Sequence, residues 1–195
     1  MTGKSNLKTD FQNITLWKRG GERAPHKPLL ALYAIGRLRR NNDRLIPYAE
    51  IDQKLTELLK DFGPYRTTYN PQYPFWRLQK DGVWEIDKTE SVSLTSSGDP
   101  KKPDLIRLDV HGGFPKKIFD AFRSDDKLVN EVVAQILEDN FPSSIHEDIL
   151  QATGIDLVST GTGLKKRDPE FRDRILRAYE YRCAVCGFDV RLDHF

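Results

Sequence analysis

Apolar residues recur at helical spacing along most of the chain. Leu7, Phe11, Ile14 and Trp17 predict a first helix, which Gly20-Gly21 stops. Residues 28–40 predict a second. Leu29, Leu30, Leu32, Tyr33 and Ile35 leave it apolar nearly all round, so it should be central and buried. Its end carries Arg37, Arg39 and Arg40, which suit a helix C-terminus without any ligand. Pro47 is placed to open a third helix, with Tyr48, Ile51, Leu55, Leu58, Leu59 and Phe62 on one face and Gly63-Pro64 at its end.

A change of period follows. After an irregular stretch rich in Tyr and Pro, residues 75–79 and 83–87 predict a β-hairpin. A three-residue loop, Lys80-Asp81-Gly82, aligns Leu78 with Trp84 and Trp76 with Ile86 on one face. It places Gly82 in the left-handed conformation. Residues 96–103 and 111–115 predict loops. Helices are expected over 115–122 and 125–139, the latter burying Leu128, Val129, Val132, Val133, Ile136 and Leu137. Ser144 with Glu147 fits a capping box opening a helix that Gly154 closes. Thr160-Gly161-Thr162-Gly163 predicts a linker, and Asp168-Pro169 opens a last helix with Phe171, Ile175 and Tyr179 on one side. Two helices and then a hairpin resemble a helix-turn-helix with a wing. The expected fold class is α+β, mostly helical, a winged-helix-like domain with a small β-hairpin.

Composition narrows the class. No apolar run approaches the ~18 residues of a membrane span, and the N-terminus leads into polar sequence without the pattern of a signal peptide. Two cysteines make no disulfide framework, so the chain is expected to be cytoplasmic. The net charge of +2 hides an asymmetry. Residues 1–123 hold 22 Lys and Arg against 15 Asp and Glu, whereas residues 124–160 hold 1 against 8. A basic N-terminal body is the usual electrostatic footprint of a polyanion binder.

Candidate chemistry is sparse. Cys183-Ala184-Val185-Cys186 can supply two thiolates to a tetrahedral zinc, which wants four ligands. The histidines His26, His111, His146 and His194 form no metal-binding pair at helical spacing, and no nucleophile elbow or phosphate-binding glycine loop occurs. Two loops join basic residues to prolines: Arg23-Ala24-Pro25-His26-Lys27-Pro28 and Tyr73-Pro74-Phe75-Trp76-Arg77. Phe75 or Trp76 must serve the core. Pro25, Tyr73 and Pro74 are better placed for binding, because loops on a rigid scaffold carry function disproportionately.

The stretches Pro25-His26-Lys27-Pro28-Leu29-Leu30, Tyr73-Pro74-Phe75-Trp76-Arg77-Leu78, Asp81-Gly82-Val83-Trp84-Glu85 and His111-Gly112-Gly113-Phe114 resemble the sulfur-binding domain of bacterial HNH-type, modification-dependent (type IV) restriction endonucleases. That resemblance implies recognition of double-stranded DNA in which sulfur replaces a non-bridging phosphate oxygen. It implies a sulfur pocket of Pro25, His26, Lys27, Tyr73, Pro74 and Arg77. Lys27 stands where some members have Arg, and Arg77 where some have a smaller residue. His111, Gly112 and Gly113 resemble the loop that approaches base edges. Arg23, Arg66 and Tyr69 are further candidates for DNA contact, the two arginines on charge and loop position alone.

Separately, residues 177–187 resemble the opening of an HNH nuclease domain, with Cys183 and Cys186 as its first metal ligands. The domain layout expected is a binding domain over 1–158, a linker over 159–168 and the start of the HNH domain over 169–195. The complete parent would use zinc and a divalent metal ion, whereas this chain is expected to hold neither and to bind DNA without cutting it. Alternatives left open are a winged-helix regulator of unmodified DNA and a protein-interaction domain using the acidic 124–160 segment.

Overall fold

The computed structural model describes residues 22–41, 43–156 and 171–179, together with Leu7, residues 9–11, Ile14, Lys18, Arg19, Arg182 and Cys186. Two compact units divide between Thr162 and Gly163.

The first unit is organised around α1 (His26–Asn41). Every residue from Pro28 to Gly36 is buried, and so is Leu38. A helix apolar on all sides must be surrounded. Around it pack α2 (Tyr48–Phe62), α3 (Gln72–Arg77), α5 (Lys116–Ser124), α6 (Asp126–Asn140) and α7 (His146–Thr153). The short α4 (Lys102–Arg107) lies against α2. At Gly36 a Cβ would run into the Thr153 carbonyl, so the glycine lets α7 cross α1 closely. The basic end of α1 serves the fold. Arg37 bonds to Glu50 and Asp43, and Arg39 pairs with Asp126.

Two small sheets complete the unit. Strands β1 (Lys18–Arg19) and β2 (Glu22–Arg23) pair antiparallel, Lys18 with Arg23 and Arg19 with Glu22. Strands β3 (Leu45–Pro47), β4 (Glu85–Ile86) and β5 (His111–Gly113) form an antiparallel sheet in the order β3-β5-β4. Pro47 sits on an edge strand, where its missing N–H costs least. Tyr48, Phe75, Trp84, Phe114 and Phe122 meet successively edge to face, at ring-centroid separations of 5.0, 6.1, 5.8 and 5.5 Å. These aromatic contacts tie the sheet to the helices.

The α+β, mostly helical class holds, and the helices expected over 28–40, from Pro47, over 115–122 and over 125–139 form. Leu7, Phe11 and Ile14 are buried, while Trp17 lies outside the described residues, as does the 160–163 linker.

Three expectations are corrected. The hairpin at 75–87 does not form: its first arm is α3 followed by a 3-10 helix, Leu78–Asp81, and only Glu85–Ile86 is extended. Phe75 and Leu78, three apart, are both fully buried, so the helical period prevails over the two-residue one. Pro74 is tolerated because it occupies the first turn, where backbone N–H groups lack helical partners anyway. Gly82 is left-handed at φ 74° as expected, but it ends the 3-10 helix.

The 111–115 loop is in part a strand, with His111–Gly113 at the centre of the sheet. The Ser144 capping box is replaced by a 3-10 turn, Ser143–Ile145, and α7 starts at His146 with no side-chain cap at Ile145. Its end is as expected, with Gly154 left-handed at φ 69°.

In the second unit, α8 (Phe171–Ala178) is the one helix among the described residues. Ile175 and Tyr179, expected on its apolar side, are both exposed.

Candidate nucleic-acid interface

The helices that carry the two proline-bearing stretches, α1 and α3, pack against each other. Pro25 is buried, and its carbonyl accepts from the Leu29 amide at 2.9 Å, which starts α1. His26 and Lys27 form the first turn of that helix. Tyr73, Pro74 and Arg77 lie on α3, which packs against α1. Pro74 is buried, whereas Tyr73 is 38% exposed. Lys27 holds Asp81, at the end of the 3-10 helix that follows α3, at 2.5 Å. The Asp81 side chain is only 3% exposed, so its charge requires such a partner.

Arg77 is also tied down. Its Nε donates to Asp99 Oδ1 at 2.8 Å and its Nη2 to Oδ2 at 2.7 Å, a bidentate fork. The same guanidinium stands 5.1 Å from the centroid of the Tyr73 ring. The Arg77 hydrogen bond is the largest influence holding the Asp99 carboxyl below its ordinary range.

The loop before α3 adds two more groups. Arg66 is exposed, and its backbone N–H donates to the Tyr69 hydroxyl at 3.3 Å. Burial first, and then the positive charge of Arg66, push the His26 imidazole below its ordinary value. Arg66 therefore lies within electrostatic reach of the start of α1. Tyr65 beside it is 88% exposed. Arg23 falls on β2, and its side chain lies outside what the structure describes.

The His111-Gly112-Gly113 candidates sit elsewhere, in β5. Gly112 and Gly113 are buried. A Cβ on Gly112 would come within 2.6 Å of the Phe75 ring and 2.8 Å of the Trp84 indole nitrogen. One on Gly113 would overlap the Arg44 carbonyl. These glycines admit the flanking strand and rings. His111 is half-buried between Asp87 and Asp109, with ring nitrogens 3.5 and 3.8 Å from their carboxylates. Two neighbouring anions make a poor approach for a phosphate.

Cys183 lies outside the described residues. Cys186 is an exposed free thiol, and no group of three metal-ligating side chains occurs among the described residues.

Asp81 and Asp99 are the functional-looking residues that sequence reasoning missed. Both sit beside a glycine and read as turn residues. Their partners lie 54 and 22 positions away, and no local pattern reports such pairs.

A family model of ScoMcrA-like DNA sulfur-binding domains matches residues 4–158. The chain belongs to this family. The sulfur-binding domain of ScoMcrA, solved with phosphorothioated DNA, matches with a TM-score of 0.67 at 23% identity, covering 76% of this chain and 95% of that one. The sulfur-binding domain of SprMcrA, also with phosphorothioated DNA, gives 0.65 at 19%, covering 78% and 94%. The type IV phosphorothioation-dependent restriction endonuclease ScoMcrA gives 0.67 at 23%, covering 89% of this chain and 38% of that one. This chain thus spans about two-fifths of that endonuclease. At these identities the structural likeness establishes the sulfur-binding domain fold. A search of curated proteins found no match. No described helix is long and apolar enough to cross a membrane.

Proposed function

We propose that this chain recognises phosphorothioate-modified double-stranded DNA and that the start of α1 and the exposed face of α3 form its sulfur site. Membership of the sulfur-binding domain family carries the reading. Its local support is the packing of α1, which begins with His26 and Lys27 after Pro25, against α3, which carries Tyr73, Pro74 and Arg77, with Arg66 and Tyr69 on the loop before α3. Of the outlying candidates, Arg23 remains a proposed phosphate contact. His111, Gly112 and Gly113 are proposed to act by packing, not as base readers.

The chemistry suits sulfur. Sulfur is larger, softer and less strongly hydrated than oxygen. The exposed Tyr73 ring offers it contact without hydrogen bonds, with the buried Pro25 and Pro74 in the apolar surroundings of the site. An ordinary phosphate oxygen placed there loses hydration at a cost on the order of 1–3 kcal/mol. Discrimination then comes from penalising oxygen as much as from attracting sulfur. Basic groups at the rim neutralise the phosphate charge common to both.

We further propose that residues 169–195 begin an HNH nuclease domain, so that binding would target cleavage to modified DNA. HNH chemistry needs a histidine base and a metal ion. Cys183 and Cys186 would supply two thiolates to the zinc of such a domain. The deciding experiment is a titration against matched duplexes that differ by one sulfur, with each sulfur stereoisomer separately. Tighter binding of one sulfur duplex is expected. Equal affinity for sulfur and oxygen duplexes would overturn the reading in favour of a binder of unmodified DNA, and no binding at any salt in favour of a protein-interaction domain.

A further inference from the structure

We infer that Asp99 is a positioning residue that sets sulfur specificity by holding and neutralising Arg77 beside the Tyr73 ring. The inference rests on the sulfur-recognition reading above. Arg77 is a large cation where an apolar contact surface is needed. Left unrestrained, it could follow any phosphate and donate hydrogen bonds to an ordinary oxygen. That would cancel the dehydration penalty by which the site rejects oxygen.

Asp99 removes this freedom. Of the five guanidinium N–H donors, it engages one on Nε and one on Nη2. It opposes the charge at hydrogen-bond distance and leaves Nη1 unengaged. The Arg77 side chain is 51% exposed, whereas that of Asp99 is 9%. The carboxylate thus stands behind the cation and leaves it accessible.

Asp99 is itself held firmly. Its carbonyl accepts from the Thr95 amide at 2.8 Å, and its own amide donates to the Thr95 hydroxyl at 3.2 Å. Ser97 Oγ donates to its Oδ2 at 3.4 Å. Gly98 takes φ 77°, and Leu94 bridges to Pro100, closing the loop behind it. Lys80 also lies near enough to favour the ionised carboxylate. The second cation of the proposed pocket follows the same plan, since Lys27 holds the near-buried Asp81. Both cations are thus backed by a carboxylate on a neighbouring segment. Sulfur gains mainly from contact and easy dehydration, so it does not need the full cationic charge. Oxygen needs it and is refused.

The test compares wild type and Asp99→Asn on matched duplexes with and without a single phosphorothioate, with folding checked by thermal denaturation. A released arginine should tighten binding of the unmodified duplex about tenfold, the worth of one charge-assisted hydrogen bond. Binding of the sulfur duplex should change less, so the sulfur-to-oxygen preference falls severalfold. Placed on top of Arg77→Ala, Asp99→Asn should change the preference no further. Arg77→Lys keeps the charge and a partner for Asp99 but loses the fork, so it too should lower the preference. It serves if Asp99→Asn fails to fold. An unchanged preference in the folded variants, or an equal change from Asp99→Asn with and without Arg77, would overturn the inference alone. A wild-type protein without any sulfur preference would overturn the recognition reading and this inference together.

Discussion

The start of α1 with α3, and the strand β5, are both built on residues lacking ordinary backbone behaviour, and they use it in opposite ways. The first region relies on proline. Pro25 precedes α1, while Pro71 and Pro74 flank and enter the first turn of α3, where a missing N–H deprives the helix of nothing. The prolines at these helix beginnings are buried, and the exposed Tyr73 and Arg77 project from α3 beside them. The second region relies on glycine. Gly112 and Gly113 lack Cβ atoms where Phe75, Trp84 and the Arg44 backbone need the space. Proline here starts the helices that carry the proposed site, and glycine brings protein to protein. Substitutions should accordingly change binding selectivity in the first region and stability in the second.

The largest effect is expected from Gly113→Ala. The obstacle is the Arg44 carbonyl next to β3, and it cannot yield without disturbing the pairing of Leu45 with Gly113. A loss of about 3 kcal/mol, at the upper end for overpacking, should appear in urea denaturation. Gly112→Ala meets rings instead of backbone and should cost less. For both, any loss of DNA affinity should be equal on modified and unmodified duplexes. A stable Gly113→Ala variant with altered base preference would overturn the packing role proposed for β5.

Tyr73→Ala should behave in the converse manner. The ring is partly exposed, so the melting temperature should move little. Affinity for the sulfur duplex should fall roughly tenfold or more, and affinity for the unmodified duplex far less. Pro74→Ala should show the same selectivity with an added stability loss, because Pro74 is buried. Equal losses on both duplexes would show that this face does not discriminate.

A smaller effect is expected from Arg66→Ala. If Arg66 contacts one phosphate, the log–log salt slope should become shallower by roughly 0.9, with sequence preference unchanged. An unchanged slope would remove Arg66 from the phosphate contacts.

The central helix was legible in the sequence because Leu29 to Ile35 are apolar on every side, and only burial satisfies such a helix. The amphipathic faces of 48–62 and 126–140 were legible for the same reason. The hairpin at 75–87 was misread because Trp76, Leu78, Trp84 and Ile86 satisfy a two-residue period while Phe75 and Leu78 satisfy a helical one. The contacts of Phe75 with Tyr48 and Trp84 span 27 and nine positions and leave no trace in a short window. The candidate site was legible as residue types, through proline, tyrosine and basic residues in two loops. The carboxylates that hold its cations were not, since Asp81 and Asp99 look like any turn aspartate until the chain is folded. His111-Gly112-Gly113 shows the same ambiguity from the other side. Glycine beside histidine suits a loop near bases and a tightly packed strand equally well.

The smallest effect concerns pH and the His26 imidazole at the start of α1. Burial and then the Arg66 charge lower its pKa from the ordinary 6.5, so the fold favours the neutral ring. Below 6.5 the unfolded chain binds a proton that the folded chain resists, so stability should fall with pH through that window. Glu50, Asp99 and Asp104 have lowered values as well, from ordinary values of 4.5, 3.8 and 3.8. Their contribution is present above those values and is lost only at lower pH. The interval from 6.5 down to about 5 therefore lies above the carboxylate losses, and comparison with a His26 variant assigns what declines within it. Urea midpoints of wild type should decline across it, and those of His26→Gln, which cannot take up the proton, should decline less. A bound phosphate beside the ring would favour the protonated form, so affinity for DNA should rise as stability falls. Arg66→Ala removes one of the two causes and should raise the His26 pKa in an NMR titration. Identical pH slopes for wild type and His26→Gln would show that the ring is not the titrating group, and an unmoved pKa in Arg66→Ala would place the Arg66 loop away from the start of α1.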